Sequence, residues 1–236
     1  MMWYVNTFQP VSLISLKIAT ATSTGGKSLL LPTPFAFKMA LLNVIIQDAG
    51  LAQGQSHWEA IRDGDLAIHG PEQIVVTNTF TKILKPMKDK PSLDQESGLT
   101  RSMINTIGFR EYVQWHGEFQ IAFRPGVDQS GEWERWLTMI NYIGKRGGFI
   151  QASGECEQCN NLDETFVHLG QTMTGFSLNG TMQIMDDCSP KLTFEQVDIY
   201  SEKNMRTGTD RILRHVVIPY RLVSSSRGYT LYRRLA

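Results

Sequence analysis

Gly25, Gly26, Lys27 and Ser28 have the composition of a phosphate-binding loop. The nucleoside-triphosphate version of that loop needs a further glycine six residues before its lysine, and Ala21 stands there. The spacing argues against a nucleotide triphosphatase. Two glycines and a lysine still suffice to meet one phosphate with bare backbone amides and a cation. They suffice equally as a connecting loop, so both readings stay open. A second glycine-flanked site is the run Ile143–Gly148, which holds Lys145 and Arg146. Glycines let a backbone come close to a nucleic acid, and the same two cations would also complement the C-terminal dipole of a preceding helix.

Other chemistry finds less support. Cys156 and Cys159 enclose Glu157 and Gln158, with His168 and Cys188 further on. A structural zinc site would offer a second clean pair, so a surface turn with unpaired thiols is the better reading, and no metal or cofactor is expected. The histidines at 57, 69, 116, 168 and 215 are scattered, and no serine elbow of the G-x-S-x-G type occurs. Tyr112, His116 and Lys145 form the most suggestive set, able in principle to act on an RNA 2′-hydroxyl by general acid–base chemistry. Three side chains of common type carry little specificity, and an ordinary sheet histidine is the plainer reading of His116. No catalytic residue is assigned.

The cations have a pattern of their own. Lysine plus arginine equals aspartate plus glutamate at 23 each, so whole-chain charge says nothing about a polyanionic partner. Its distribution does. Nine acids face one lysine in residues 155–202, and eight cations face Asp210 alone in residues 203–236. Such local charge is what a phosphate backbone feels beyond a Debye length of about 8–10 Å. A further group, Lys82, Lys85, Lys88, Lys90, Arg101 and Arg110, outnumbers Asp89, Asp94 and Glu96. It lies in and just beside a stretch, Lys85 to Gly108, that carries Pro86, Pro91 and Gly98 and little hydrophobicity. That stretch reads as a long projecting hairpin or arm, able to reach round a strand of RNA.

The remaining sequence supplies the elements that must hold these residues. Alternating residues 11–20 predict a largely buried strand. Thr33 and Pro34 predict a helix N-terminus, and Phe37, Leu41, Val44 and Ile45 carry an apolar stripe toward Gly50. Residues 65–68 and 73–85 read as strands, and the chain returns as one strand over Phe109–Phe123. A second helix is expected over Glu132–Ile143 with Gly144 just past its end, then a strand at Phe149–Ala152. The order is β-α-β-β-α-β, the ferredoxin-like or RRM-like arrangement of an α+β fold. Residues 153–236 form a smaller β-rich region, with strands expected at Phe194–Tyr200, Leu213–Val223 and Tyr229–Leu235. The stretch Ser28–Ile46 contains Pro32, Pro34, Lys38 and Asn43 and is no membrane span. The start of the chain lacks a basic, apolar leader, and three cysteines point to a reducing, cytoplasmic setting.

Several motifs recur together. LPTPFAFKMALL (Leu31–Leu42), KILKP (Lys82–Pro86), GFREYV (Gly108–Val113) and MINYIGKRGGFIQ (Met139–Gln151) resemble, in order and spacing, the RAMP superfamily of CRISPR proteins. Within it the likeness is to the Cas-five family. The resemblance implies an RRM-like RAMP domain over residues 1–152, with a thumb hairpin inserted at about 82–107. It implies a non-catalytic subunit of a type I surveillance complex (Cascade) in antiviral defence, which caps the 5′ handle of the guide RNA (crRNA). Partners would be the crRNA, the backbone subunits, the large PAM-reading subunit and, through the complex, target DNA. Carried over by position, Lys82, Lys85, Arg110, Tyr112, Lys145 and Arg146 lie near the handle. With the loop and arm residues, the expected RNA-contacting set is Gly25, Gly26, Lys27, Lys38, Lys82, Lys85, Lys88, Arg101, Arg110, Tyr112, Lys145 and Arg146. The strand Arg110–His116 does not match the aromatic signature of ordinary RRM proteins, which argues against base stacking on the sheet face. One branch of the family processes its own guide precursor, so a repeat-cleaving endoribonuclease using His116 or His57 is the alternative. A ferredoxin-like domain with no RNA role is the third reading.

Overall fold

The computed structural model describes residues 2–20, 26–87, 92–170 and 179–235. In chain order the elements are β1 (Trp3–Pro10), α1 (Pro34–Ala49), α2 (Leu51–Ser56), α3 (Trp58–Arg62), β2 (Asp65–His69) and β3 (Gln73–Pro86). Then come β4 (Ser92–Leu93), β5 (Thr100–Arg101), β6 (Met103–His116), β7 (Phe119–Arg124), α4 (Trp133–Thr138) and β8 (Ile150–Ala152). The rest of the chain forms β9 (Glu157–Cys159), β10 (Val167–His168), β11 (Thr181–Cys188), α5 (Phe194–Val197), β12 (Arg211–Ile218), β13 (Tyr220–Ser225) and β14 (Tyr229–Arg234). This is a mixed α/β fold whose sheets are antiparallel.

The first sheet runs β10-β2-β7-β1-β8, with β9 also paired to β1. Helix α1 packs on it. The Thr33 hydroxyl accepts a hydrogen bond from the Ala36 amide at 3.2 Å, Pro34 opens the first turn, and Gly50 at φ +88 ends the helix, as the sequence predicts. Phe37, Leu41 and Ile45 are fully buried in one core with Phe8, Ile121, Phe123 and Trp133, and the Phe37 ring lies 5.8 Å from that of Phe123. The same continuous core takes in Met185, Leu192, Phe194, Val216, Ile218 and Tyr220 from the C-terminal region.

The second sheet runs β13-β14-β3-β6. Its centre is a ladder in unbroken register from Gln73↔His116 to Pro86↔Met103. Near the body, Ile74, Val76, Val113 and Trp115 are buried. Beyond Phe80 the hairpin leaves the core, and Phe80, Leu84 and Ile107 are exposed. Leu93 and Leu99 nearer its tip are exposed as well.

Five element assignments differ from the sequence reading. The first strand is Trp3–Pro10, not residues 11–20. Residues 11–20 do alternate, with Ile14 and Leu16 buried and Leu13 exposed. They make only isolated bridges, Ile14↔Val113 to the edge of β6 and Lys17↔Ser28 to the glycine loop. Phe109–Phe123 is two strands in two sheets, parted at Gly117, whose φ of +89 suits glycine. The second helix stops at Thr138, five residues early. The chain then folds into a turn closed by Ile143 N–H to Gly148 O at 3.0 Å and Ile150 N–H to Asn141 O at 3.0 Å. Phe194–Val197 is a helical turn held by a Thr193–Gln196 capping box, not a strand. Leu213–Val223 breaks at Pro219, which has no N–H to give a ladder, into β12 and β13. No helix among the described residues is long and apolar enough to cross a membrane.

Candidate nucleic-acid interface

Strand pairing sorts the expected RNA contacts by face, because residues opposite each other in a ladder point to the same side. Ile74 and Val76 with Trp115 and Val113 define the inner face. Lys82, opposite Ile107, continues that side. Arg110, opposite Thr79, and Tyr112, opposite Thr77, stand on the outer side, as does Lys85 opposite Ile104. The arm therefore splits its cations between two faces. Arg101 lies in β5 near the tip, and Gly25 and Lys88 fall outside the described residues.

The glycine loop is fastened to the edge of β6. Gly26 O accepts from the Glu111 amide at 2.8 Å, the Glu111 carboxylate accepts from the Ser28 amide at 2.8 Å, and the Ser28 hydroxyl accepts from the Leu16 amide at 3.0 Å. A Cβ on Gly26 would lie 2.7 Å from Phe109 O and 2.9 Å from the Arg110 side chain, so only glycine fits there. This packing sets Gly26 against Arg110, and the next residue, Lys27, is exposed.

Lys145 and Arg146 are exposed in a tight turn between Gly144 (φ +74) and Gly147 (φ +103). The turn closes through Gly148 N–H to Lys145 O at 3.0 Å, and the Ser12 hydroxyl donates to Gly147 O at 2.7 Å. Because α4 ends at Thr138, these cations do not sit on a helix C-terminus, and the dipole reading of them is corrected. Lys145 borders a cleft of about 310 Å³ together with Lys17, Phe35, Tyr142, Asp186 and Arg211. Arg211 stacks on the Phe35 ring at 4.1 Å and is paired with Asp186. Loops 12–17, 26–28 and 142–148 thus adjoin.

Lys38 does not belong to this surface. It is 1% exposed, and its Nζ donates to Asp187 Oδ1 at 2.6 Å and to Arg62 O at 2.8 Å. A cation held in the core by a buried carboxylate cannot reach RNA, which corrects its place in the expected set.

The histidines fall into different settings. His57 is buried edge-on to Trp133 and Trp136, with its ring nitrogens against Gln53 O and Ser130 O. His69 is held between the Thr165 hydroxyl (2.7 Å) and the Arg234 guanidinium. Burial and the neighbouring Arg234 push its pKa down. His116 is exposed and shares an open polar cleft with His69, Glu72, Glu118 and Arg234. Lys145 borders the other cleft, so the set Tyr112, His116 and Lys145 is not gathered round one cavity. Cys156 is half-buried, and burial with nearby Glu134 and Glu157 pushes its thiol up to about 12. Cys159 is raised also, chiefly by burial, and neither thiol is primed as a thiolate.

No protein-family model matches the chain. Among curated proteins, one from Archaeoglobus fulgidus named CRISPR-associated protein Cas5 is 27% identical over 217 residues, spanning 89% of this chain and 90% of that protein. The chain is similar to a Cas5 protein along nearly its whole length. The resemblance drawn from the motifs between Leu31 and Gln151 agrees with that likeness. A solved structure described as a CRISPR protein from Archaeoglobus fulgidus is similar at a TM-score of 0.46 and 15% identity, over 100% of this chain and 93% of that one.

Sequence reasoning missed the contribution of the C-terminal strands. Through β14–β3 pairing, Tyr229 stands beside Thr77 and Arg233 beside Gln73, on the outer side that also carries Tyr112 and His116. The signal available was the excess of cations in residues 203–236, which marked the region without naming the side chains.

Proposed function

We propose that the chain is a non-catalytic guide-RNA-binding subunit of a CRISPR effector complex. The likeness to a Cas5 protein over nearly the whole of both chains supports a CRISPR-associated role. The observation that carries RNA binding is the convergence of Lys27, Arg110 and Tyr112 along β6 with the glycine-flanked pair Lys145–Arg146 nearby. Cations set on backbone that can approach closely, with an aromatic side chain among them, suit a single strand. The order β2-β7-β1-β8, with helices in the two crossovers, supports the ferredoxin-like, RRM-like reading of residues 1–152. The long β3–β6 hairpin suits the thumb of that family. In this reading the subunit caps the 5′ handle of the crRNA in a type I Cascade, beside backbone subunits and the large PAM-reading subunit.

Incubating the purified chain with single-stranded CRISPR repeat RNA tests the proposal. Retention of intact RNA is the expected result. Cleavage would favour the guide-processing endoribonuclease, and absence of both would favour a domain with no RNA role.

A further inference from the structure

The four-stranded sheet β13-β14-β3-β6 has one face in the core and one turned outward. Reading across the strands, the outward face has a row of Arg221, Arg233, Gln73 and His116. The next row holds Ser224, Leu231, Val75 and Gln114, and the third holds Tyr229, Thr77 and Tyr112. Thr79 and Arg110 follow. Arg221, Arg233, Tyr229, Gln114 and His116 are exposed. Neither the Arg221 nor the Arg233 side chain has a hydrogen bond or ion pair among the described residues, and no carboxylate occupies any of these positions. Glu111 points to the inner side, where it accepts from the Ser28 amide.

We infer that this face is a platform for single-stranded RNA in which the C-terminal strands supply Tyr229, Arg221 and Arg233. The inference rests on the RNA-binding reading above and names where the strand lies. Charge complementarity selects the occupant: the rows themselves offer arginines, a histidine and amides to a polyanion, and the acids bordering them, Glu72 and Glu118, stand at one end in the cleft beside Gln73 and His116. Tyr229 and Tyr112 are two strands apart, roughly 10 Å at about 4.8 Å per strand, so each ring can take a separate base. Four-stranded sheets that stack two or three bases on such rings are a known mode of single-strand recognition. Tyr112 thus gains a second ring on its face from a strand more than a hundred residues later.

The full-length chain, fluorescein-labelled repeat RNA and fluorescence anisotropy provide the test. The double variant Arg221→Gln with Arg233→Gln is expected to lower the slope of log affinity against log salt by about 1.4, at about 0.7 per phosphate contact. Tyr229→Leu is expected to weaken binding about tenfold, in line with loss of one base stack. Arginine-selective modification read by mass spectrometry gives an answer that does not depend on variant folding: Arg221 and Arg233 should be protected by RNA. If the parent binds RNA but the variants match it in affinity and slope, the platform is wrong while RNA binding stands. If the variants keep RNA affinity and lose only association with other subunits, the face is a protein interface and the inference fails. If the parent binds no RNA at all, both the platform and the RNA-binding reading fall.

Discussion

Replacing Lys38 by methionine separates a core cation from a surface one. Lys38 and Asp187 have side chains 2% and 5% exposed, with nitrogen and oxygen 2.6 Å apart. Removing one partner of such a buried pair strands the other charge and costs about 3–5 kcal/mol. Asp187 retains the Cys188 amide at 2.7 Å and Arg214 at 3.7 Å, so the loss should fall at the low end, about 3 kcal/mol. For a chain of this length that is a fall in melting temperature of roughly 6–12 °C. Urea unfolding followed by circular dichroism gives the free energy, and anisotropy gives the RNA affinity of the folded fraction, which should not change. Adding Asp187→Leu should recover part of the loss, because an apolar pair leaves no charge stranded. A loss below about 1 kcal/mol, or weaker RNA binding at an unchanged melting point, would refute the burial argument.

Lys145→Gln with Arg146→Gln removes two cations from a turn that caps no helix, so folding should be untouched. Two lost phosphate contacts at about 0.1 M salt amount to about a 25-fold loss of RNA affinity, read by anisotropy; equal affinity would place the strand elsewhere. Replacing residues 85–105 with a short turn should leave the melting temperature nearly unchanged, since the arm's side chains are largely exposed, while binding to guide and backbone subunits is lost. A large fall would show the arm to be part of the core. His69 has a lowered pKa in the folded state, so the unfolded chain binds the extra proton below the ordinary value of about 6.5. Its stabilisation is present above that pH and lost as pH falls toward the folded pKa; melting scans between about pH 7.5 and 5 should show a decline that His69→Gln flattens.

Helix α1 was legible because its punctuation is local: Thr33 and Pro34 start it and Gly50 stops it. Strand β3 was legible through its β-branched Ile74, Val75, Val76, Thr77 and Thr79, whereas β6 was read as running on to Phe123 because nothing before Gly117 announces its end. Strand β1 was not. Its core-facing positions are Tyr4, Asn6 and Phe8, and Asn6 is 1% exposed with neither amide atom hydrogen-bonded. A polar residue in the middle of the buried set hides the period of two, while residues 11–20 carry a clean alternation that serves only a strand edge. Lys38 shows the same limit. Its neighbours Phe37 and Leu41 mark a buried stripe, but its partner Asp187 lies 149 residues away, so nothing nearby reveals that its charge is neutralised. In the candidate interface, Arg110 could be named as one of the arm's cations and Tyr112 through the motif GFREYV. Tyr229 and Arg233 join them only through the pairing of β14 with β3, and sequence separation conceals that.

The most direct measurement is the affinity of the purified chain for single-stranded repeat RNA across a range of salt concentrations. If Lys27, Lys85, Arg110, Lys145 and Arg146 each meet a phosphate, log affinity falls linearly with log salt at a slope of about −3.5, steepening to about −4.9 with Arg221 and Arg233, and the RNA stays intact. Binding that does not change with salt, or no binding at all, would contradict the claim that this surface holds a guide strand.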